Sequence, residues 1–177
     1  MGADAETIGT PFNHEPAFMM KSAIAIPLLC ALPALAGDLP PVPYPEGYRD
    51  WTHVKSMVIH DGHPLVEAFG GIHHIYANPK ALTGYRRGGP FPDGAVIAFD
   101  LLAATDSGGA IVEGDRKVVG VMSKNARKWP DTGGWGFEAF KGDSKTERAV
   151  GANAATACFG CHAPEKASDY TFSRWRP

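Results

Sequence analysis

"AVIAFDLLAA" occupies residues 95–104, directly after the turn cluster "GGPFPDG" at 88–94. Its β-branched and apolar residues, set off by glycine and proline, predict the clearest strand in the chain. The turn residues "DSGG" follow at 106–109, and "RKVVGVMSK" at 116–124 predicts another strand beyond them. Strands joined by a short local turn pair antiparallel, and this pair sets the expected fold class.

The same reading extends in both directions. Downstream, "DTGGWGFEAFKG" (131–142) alternates large apolar residues and predicts one more strand. Upstream, "GGIHHIYAN" (70–78) reads as a strand, followed by a short helix, "PKALTGYR", starting at Pro79. Proline is well tolerated at the first helical position. "YRDWTHVKSMVI" (48–59) opens with a helical turn and ends in a β-like run, Val54 to Ile59, broken by "HDGHP" at 60–64. "DLPPVPYPEGY" (38–48) is a proline-rich, extended lead-in. Roughly four or five strands with local turns imply an α+β domain, mainly antiparallel sheet with a few short helices. A C-terminal helix, "NAATACFGCHA" (153–163), carries the cysteines.

The chain has 177 residues, 44% hydrophobic and 20% charged, which is a globular and not a disordered mixture. From Met19 the sequence reads "MMKSAIAIPLLCALPALAGDLP". Lys21 forms a short n-region, Ala23 to Leu32 an apolar stretch, and "ALA" at 34–36 a cleavage site. Residues 19–36 are therefore expected to be a secretory signal peptide; Pro27 and Pro33 interrupt them too much for a membrane span. Residues 1–18 carry acids that do not suit an n-region and read as an extension upstream of the true start. Leu29 stands where a lipoprotein anchor at Cys30 needs a small residue. The mature chain is then 37–177, a single domain in the periplasm. Cleavage removes Lys21 and the acids Asp4, Glu6 and Glu15, so 17 bases and 19 acids become 16 and 16. A neutral chain has neither a basic stripe for nucleic acid nor a polybasic membrane patch.

Cys30 leaves with the signal peptide, and only Cys158 and Cys161 remain, within "ACFGCHAP" (157–164). Three chemistries use such a cluster. A redox disulfide needs its CxxC early in a βαβ unit, and this one sits at the far C-terminus. Zinc needs four ligands, and Cys158, Cys161 and His162 supply three at most. Covalent attachment of haem c needs two thiols one helical turn apart, to meet two vinyl groups, and a histidine next to the second thiol to reach the iron. Export fits the same reading. Cys158 and Cys161 are the expected thioether anchors of one haem, and His162 is its proximal ligand.

No partner for the other side of the iron declares itself. Met57 and Met122 lie in strand-like runs, where methionine mostly packs in a core. His53, His60, His63, His73 and His74 each read more readily as surface or packing residues. Arginines and lysines in 116–128 and 141–148 are candidates for the haem propionates.

The segments "YPEGYRDWTHVKSMVI", "GGIHHIYAN", "FPDGAVIAFDLL", "DTGGWGFEAFKGD" and "CFGCHA" together resemble the cytochrome P-460 family, in its order, from Tyr44 to Pro177. The resemblance implies a mostly antiparallel sheet holding one c-type haem, commonly as a homodimer. Hydroxylamine-oxidising members carry a lysine joined to the haem ring and a distal acid. The related cytochromes c′-beta lack the link, close the distal side with phenylalanines and bind nitric oxide at five-coordinate iron. Where the cross-linking lysine aligns, this chain has Phe99, and it has no lysine between Lys80 and Lys117. "AVGANAATA" (149–157) contains no carboxylate, and Asn153 stands nearest the place of the distal acid. Phe69, just before "GGIHHIY", is the second phenylalanine. The resemblance thus points to the c′-beta branch, with Phe69 and Phe99 as distal pocket and nitric oxide or a similar gas as ligand. The alternative is an enzyme oxidising hydroxylamine or nitric oxide and passing electrons to a redox partner protein.

Overall fold

The computed structural model describes residues 41–177. The expected upstream extension and signal peptide lie outside the described residues. Five strands, β1 (Thr52–Ile59), β2 (Gly71–Ala77), β3 (Val96–Ser107), β4 (Ala110–Lys124) and β5 (Trp135–Lys141), form one sheet in chain order. Every neighbouring pair is antiparallel. The α+β expectation holds.

β3 turns into β4 through Gly108 and Gly109, at φ 63° and 86°. Positive φ at both central residues gives the turn whose twist matches a hairpin. β4 begins at Ala110, six residues before the predicted strand, because this hairpin runs on into solvent. There its polar residues are held by ladder hydrogen bonds and show no apolar alternation. Between β1 and β2 lies a single turn, α1 (Val66–Phe69), that the sequence did not announce, and between β2 and β3 lies α2 (Pro79–Arg87). Asn78 caps α2 by accepting from the Ala81 N–H at 2.8 Å, and Gly88 ends it in the left-handed region.

The expected C-terminal helix is present but irregular. A 3₁₀ turn (Gly151–Asn153) leads to a π turn (Ala155–Phe159), a short α turn, α3 (Gly160–His162), and a further 3₁₀ stretch (Ala163–Ser168).

Register gives the sheet two unlike faces. On one, Tyr76, Ala98, Val119, Val121 and Phe140 are buried beneath Val42, Tyr44, Tyr48 and Trp51 of the lead-in, and Trp129. On the other, Ala77, Ile97, Trp135 and Phe137 pack under Ala81 and Tyr85 of α2 and Phe159 and Tyr170 of the C-terminal segment. Among the described residues, no helix is long and apolar enough to cross a membrane.

Asp100 lies within the first face with no solvent exposure. Both of its oxygens accept charged hydrogen bonds, from Arg116 Nε at 2.7 Å and Arg49 Nη1 at 2.9 Å, which makes its burial tolerable. Arg116 also pairs with Asp143, and Arg49 reaches Glu113. Replacing Asp100 by alanine should cost about 3 kcal/mol, the low end for a broken buried pair because Arg49 remains 43% exposed. Urea unfolding will check this: the midpoint should fall with an unchanged slope.

Candidate functional site

His162 closes α3, and its Nδ1–H donates to the carbonyl of Tyr170 at 2.8 Å. That bond fixes the tautomer and orients the ring, leaving the Nε2 lone pair for a metal. Burial pushes its pKa below the ordinary 6.5, with the Tyr170 bond pulling the other way. At neutral pH the imidazole is therefore uncharged, the form that ligates iron. Phe137 and Phe172 flank it, with ring centroids at 5.0 Å and 4.8 Å.

The Tyr170 carbonyl is delivered by an unusual backbone. Asp169 and Tyr170 are consecutive non-glycine residues at φ 49° and 65°. The left-handed region costs an ordinary residue about 1–2 kcal/mol. The Tyr170 ring lies so close over Gly133 that a Cβ there would stand 2.1 Å from it.

Cys158 and Cys161 stand one helical turn apart as free thiols, the first half-buried and the second exposed. Burial raises the Cys158 thiol above its ordinary value, and the Glu138 carboxylate and Cys161 add to this. A redox-active CxxC needs the opposite shift, towards thiolate. Glu138 on β5 anchors the segment that carries both cysteines. Its carboxylate accepts from Arg148 Nη1 at 2.7 Å, the Gly151 N–H at 3.1 Å and the Val150 N–H at 3.3 Å. Sequence reasoning missed Glu138, although a lone acid in the apolar alternation "WGFEAF" was a usable signal.

Above β2 to β5, the same face as His162 presents a half-buried apolar row. Ile75, Phe99, Gly120 and Ala139 stand side by side across four strands. Gly120 keeps the row shallow, since a Cβ there would touch the Phe99 ring at 3.0 Å. His162 packs on Phe137 of β5, whereas Phe99 rises from β3, two strand spacings or roughly 10 Å away. The structure brings the two predicted phenylalanines together: Phe69 and Phe99 meet edge to face, with centroids 6.2 Å apart.

The other possible ligands are scattered. His73 reaches this face, but its Nε2–H donates to the Phe69 carbonyl at 2.5 Å while its ring meets Phe99 at 4.9 Å. Met122 is half-buried against the core of the same face, and Met57, read from sequence as a packing residue, is instead 46% exposed on the edge strand. His53 and His74 belong to the opposite face, where Ser56 links them at 2.9 Å and 2.7 Å. His60 and His63 lie in the loop after β1, and Asn153 is exposed ahead of the cysteines. Lys117, distant in sequence, donates from Nζ to the Gly70 carbonyl at 2.8 Å, next to Phe69.

These residues fit a covalently held porphyrin. Two thiols one turn apart, a neutral imidazole with its outer nitrogen already bonded, and a shallow apolar bed match its edge, its iron and its flat face. A family model described as cytochrome P460 matches residues 45–173. No curated protein matches the sequence.

His73 carries a pH dependence. Burial pushes it below 6.5, its bond to Phe69 opposes this, and the nearby His74, Lys117 and His63 push it further down. A histidine with a depressed folded value contributes full stability above the unfolded value of 6.5 and loses it as pH falls. His73→Gln, which keeps a donor for the Phe69 carbonyl, should therefore flatten the loss of stability below about pH 6.5. Unfolding midpoints of the two proteins across that range measure it; His162, present in both, cancels.

Proposed function

This chain belongs to the cytochrome P460 family, and from that premise we propose that it is an exported mono-haem c-type cytochrome of the c′-beta kind. It binds nitric oxide, or a similar small gaseous ligand, at five-coordinate iron in an apolar distal pocket. Family membership implies the haem. The proposal adds that Cys158 and Cys161 hold it by thioethers, that His162 is the proximal ligand, and that Phe69 and Phe99 line the distal side. It further takes residues 19–36 as the signal peptide, 37–177 as the single haem domain of a periplasmic homodimer, and a redox partner protein as a further partner.

The observation that carries this reading is the Phe69–Phe99 pair on the same face as His162. A haem held by Cys158, Cys161 and His162 would supply an iron able to bind the gas. The two rings exclude water and offer no hydrogen bond. A charged or strongly polarised ligand such as hydroxide or dioxygen gains nothing in such a pocket to offset its desolvation. Nitric oxide, small and nearly apolar, needs no such help. His73 donates its Nε2–H to the Phe69 carbonyl, and its ring meets Phe99. Oxidation of hydroxylamine calls for proton removal, and the row Ile75, Phe99, Gly120 and Ala139 supplies no group for it.

The ferrous protein should show an unshifted Soret band, a normal pyridine haemochrome and a high-spin spectrum. A red-shifted Soret band with haem that resists haemochrome formation would mean a ring cross-link, and the oxidase reading would take its place. Replacing Cys158 and Cys161 together by serine should let acidified organic solvent extract the haem. Phe99→Ala should raise the ligand association rate by about tenfold, a barrier drop of about 1.4 kcal/mol. Stopped-flow mixing reads that rate, and an unchanged value would remove Phe99 from the distal side.

A further inference from the structure

The left-handed pair Asp169–Tyr170 does not hold itself. Asp169 is clamped on every polar atom it owns. Its carboxylate accepts from Lys124 Nζ at 2.6 Å and 2.8 Å and from the Phe91 N–H at 2.7 Å. Its carbonyl accepts from Trp135 Nε1 at 2.9 Å, and its own N–H donates to the Lys166 carbonyl at 3.0 Å. Lys124 also donates to the Gly133 carbonyl at 2.9 Å and lies 4.9 Å from the centre of the Trp135 ring. The side chains of Lys124 and Asp169 are 9% and 11% exposed. An almost buried ion pair is weak evidence of stability in itself, since desolvation offsets most of the attraction. Two adjacent left-handed residues persist only where the surroundings over-determine them. The next carbonyl along this clamped backbone is the one that accepts from His162 Nδ1.

We propose that Lys124 and Asp169 are positioning residues that hold the Asp169–Tyr170 backbone in its left-handed form and so set the strength of the His162–Tyr170 hydrogen bond. The proposal rests on the reading of His162 as proximal haem ligand. A strong bond at Nδ1 makes the imidazole more basic at Nε2. A more basic axial ligand stabilises ferric over ferrous haem and lowers the reduction potential. The clamp therefore tunes the iron from a distance, through backbone geometry and without touching the haem.

The test uses the holoprotein and two substitutions of opposite charge effect, Asp169→Asn and Lys124→Gln. Resonance Raman spectra of the ferrous form give the iron–histidine stretch, and potentiometric titration gives the potential. A clamp predicts the same change in both variants: a lower stretching frequency and a higher potential. A mere field effect predicts potentials that move in opposite directions with the stretch unmoved, and that result overturns the proposal. Asparagine tolerates the left-handed region, so any loss in Asp169→Asn comes from the weakened clamp and not from intrinsic preference. If Lys124→Gln does not accumulate, the stretch of Asp169→Asn alone decides. The double variant, in which two amides can bond again, should recover part of the frequency. A wild-type ferrous protein with no iron–histidine band overturns the reading of a five-coordinate iron held by His162, on which the proposal rests; a band present but unmoved by the variants overturns the proposal alone.

Discussion

Phe99 and Asp100 are neighbours in sequence and point to opposite faces of the sheet, and the rest of the molecule depends on that alternation. A slip of one residue in β3 would bring Asp100 onto the bed beside His162 and drive Phe99 into the aromatic core. Two features hold the register. The Gly108–Gly109 turn starts the pairing of β3 with β4, which shifts register between Leu101 and Ala104, and Asp100 is gripped by Arg49 and by Arg116 of β4. The ion pairs cost desolvation, and a one-residue slip would turn Asp100 away from both arginines to the other face. Their contribution is specificity of pairing more than net stability.

The two faces are closed by chemically different means. The lead-in closes the first with tyrosines and a tryptophan that pack edge to face, as Tyr44 does on Phe140 at 5.1 Å. The second is covered only partly by α2 and the C-terminal segment, so Ile75, Phe99, Gly120 and Ala139 remain half-buried. The covering segment bears the cysteines and His162, and a regular helix is not what it forms. Glu138 ties its start to β5, the Asp169 clamp ties its end to the core of the same face, and the π turn lies between the two anchor points. Such π turns occur often at functional sites.

The architecture was largely legible because its signals are local. Gly108–Gly109, Pro79 at the start of its helix, and the alternation of "WGFEAF" each act over a few residues, and the structure follows them. The placing of Cys158 and Cys161 one turn apart was legible for the same reason, since it is built into their spacing. What stayed hidden depends on long-range pairing. Nothing near Lys124 or Asp169 in sequence tells that they meet, 45 residues apart. Lys117 reaching Gly70, and His73 choosing the Phe69 carbonyl, are equally invisible in one dimension. Met57 was misjudged because an apolar residue in an edge strand has no neighbour on its outer side to bury it. The irregularity of the C-terminal helix was hidden because alanine-rich composition favours helix in general and says nothing about anchors at both ends.

On the proposed reading, the two sides of the iron would be governed by opposite rules. The side of His162 is polar and closed: every partner of Asp169 is named, and the imidazole has one acceptor in one place. The side of Phe69 and Phe99 is apolar, and His73 and Lys117 beside it donate to backbone carbonyls. Electron donation can then be set from below by hydrogen bonds, while admission is set from above by size and polarity. Because no residue serves both sides, a change in the rings alters which ligand enters and leaves the ligand field alone, and a change in the clamp does the reverse. A sheet whose faces are kept distinct by register is suited to that separation, since side chains one residue apart never share an environment.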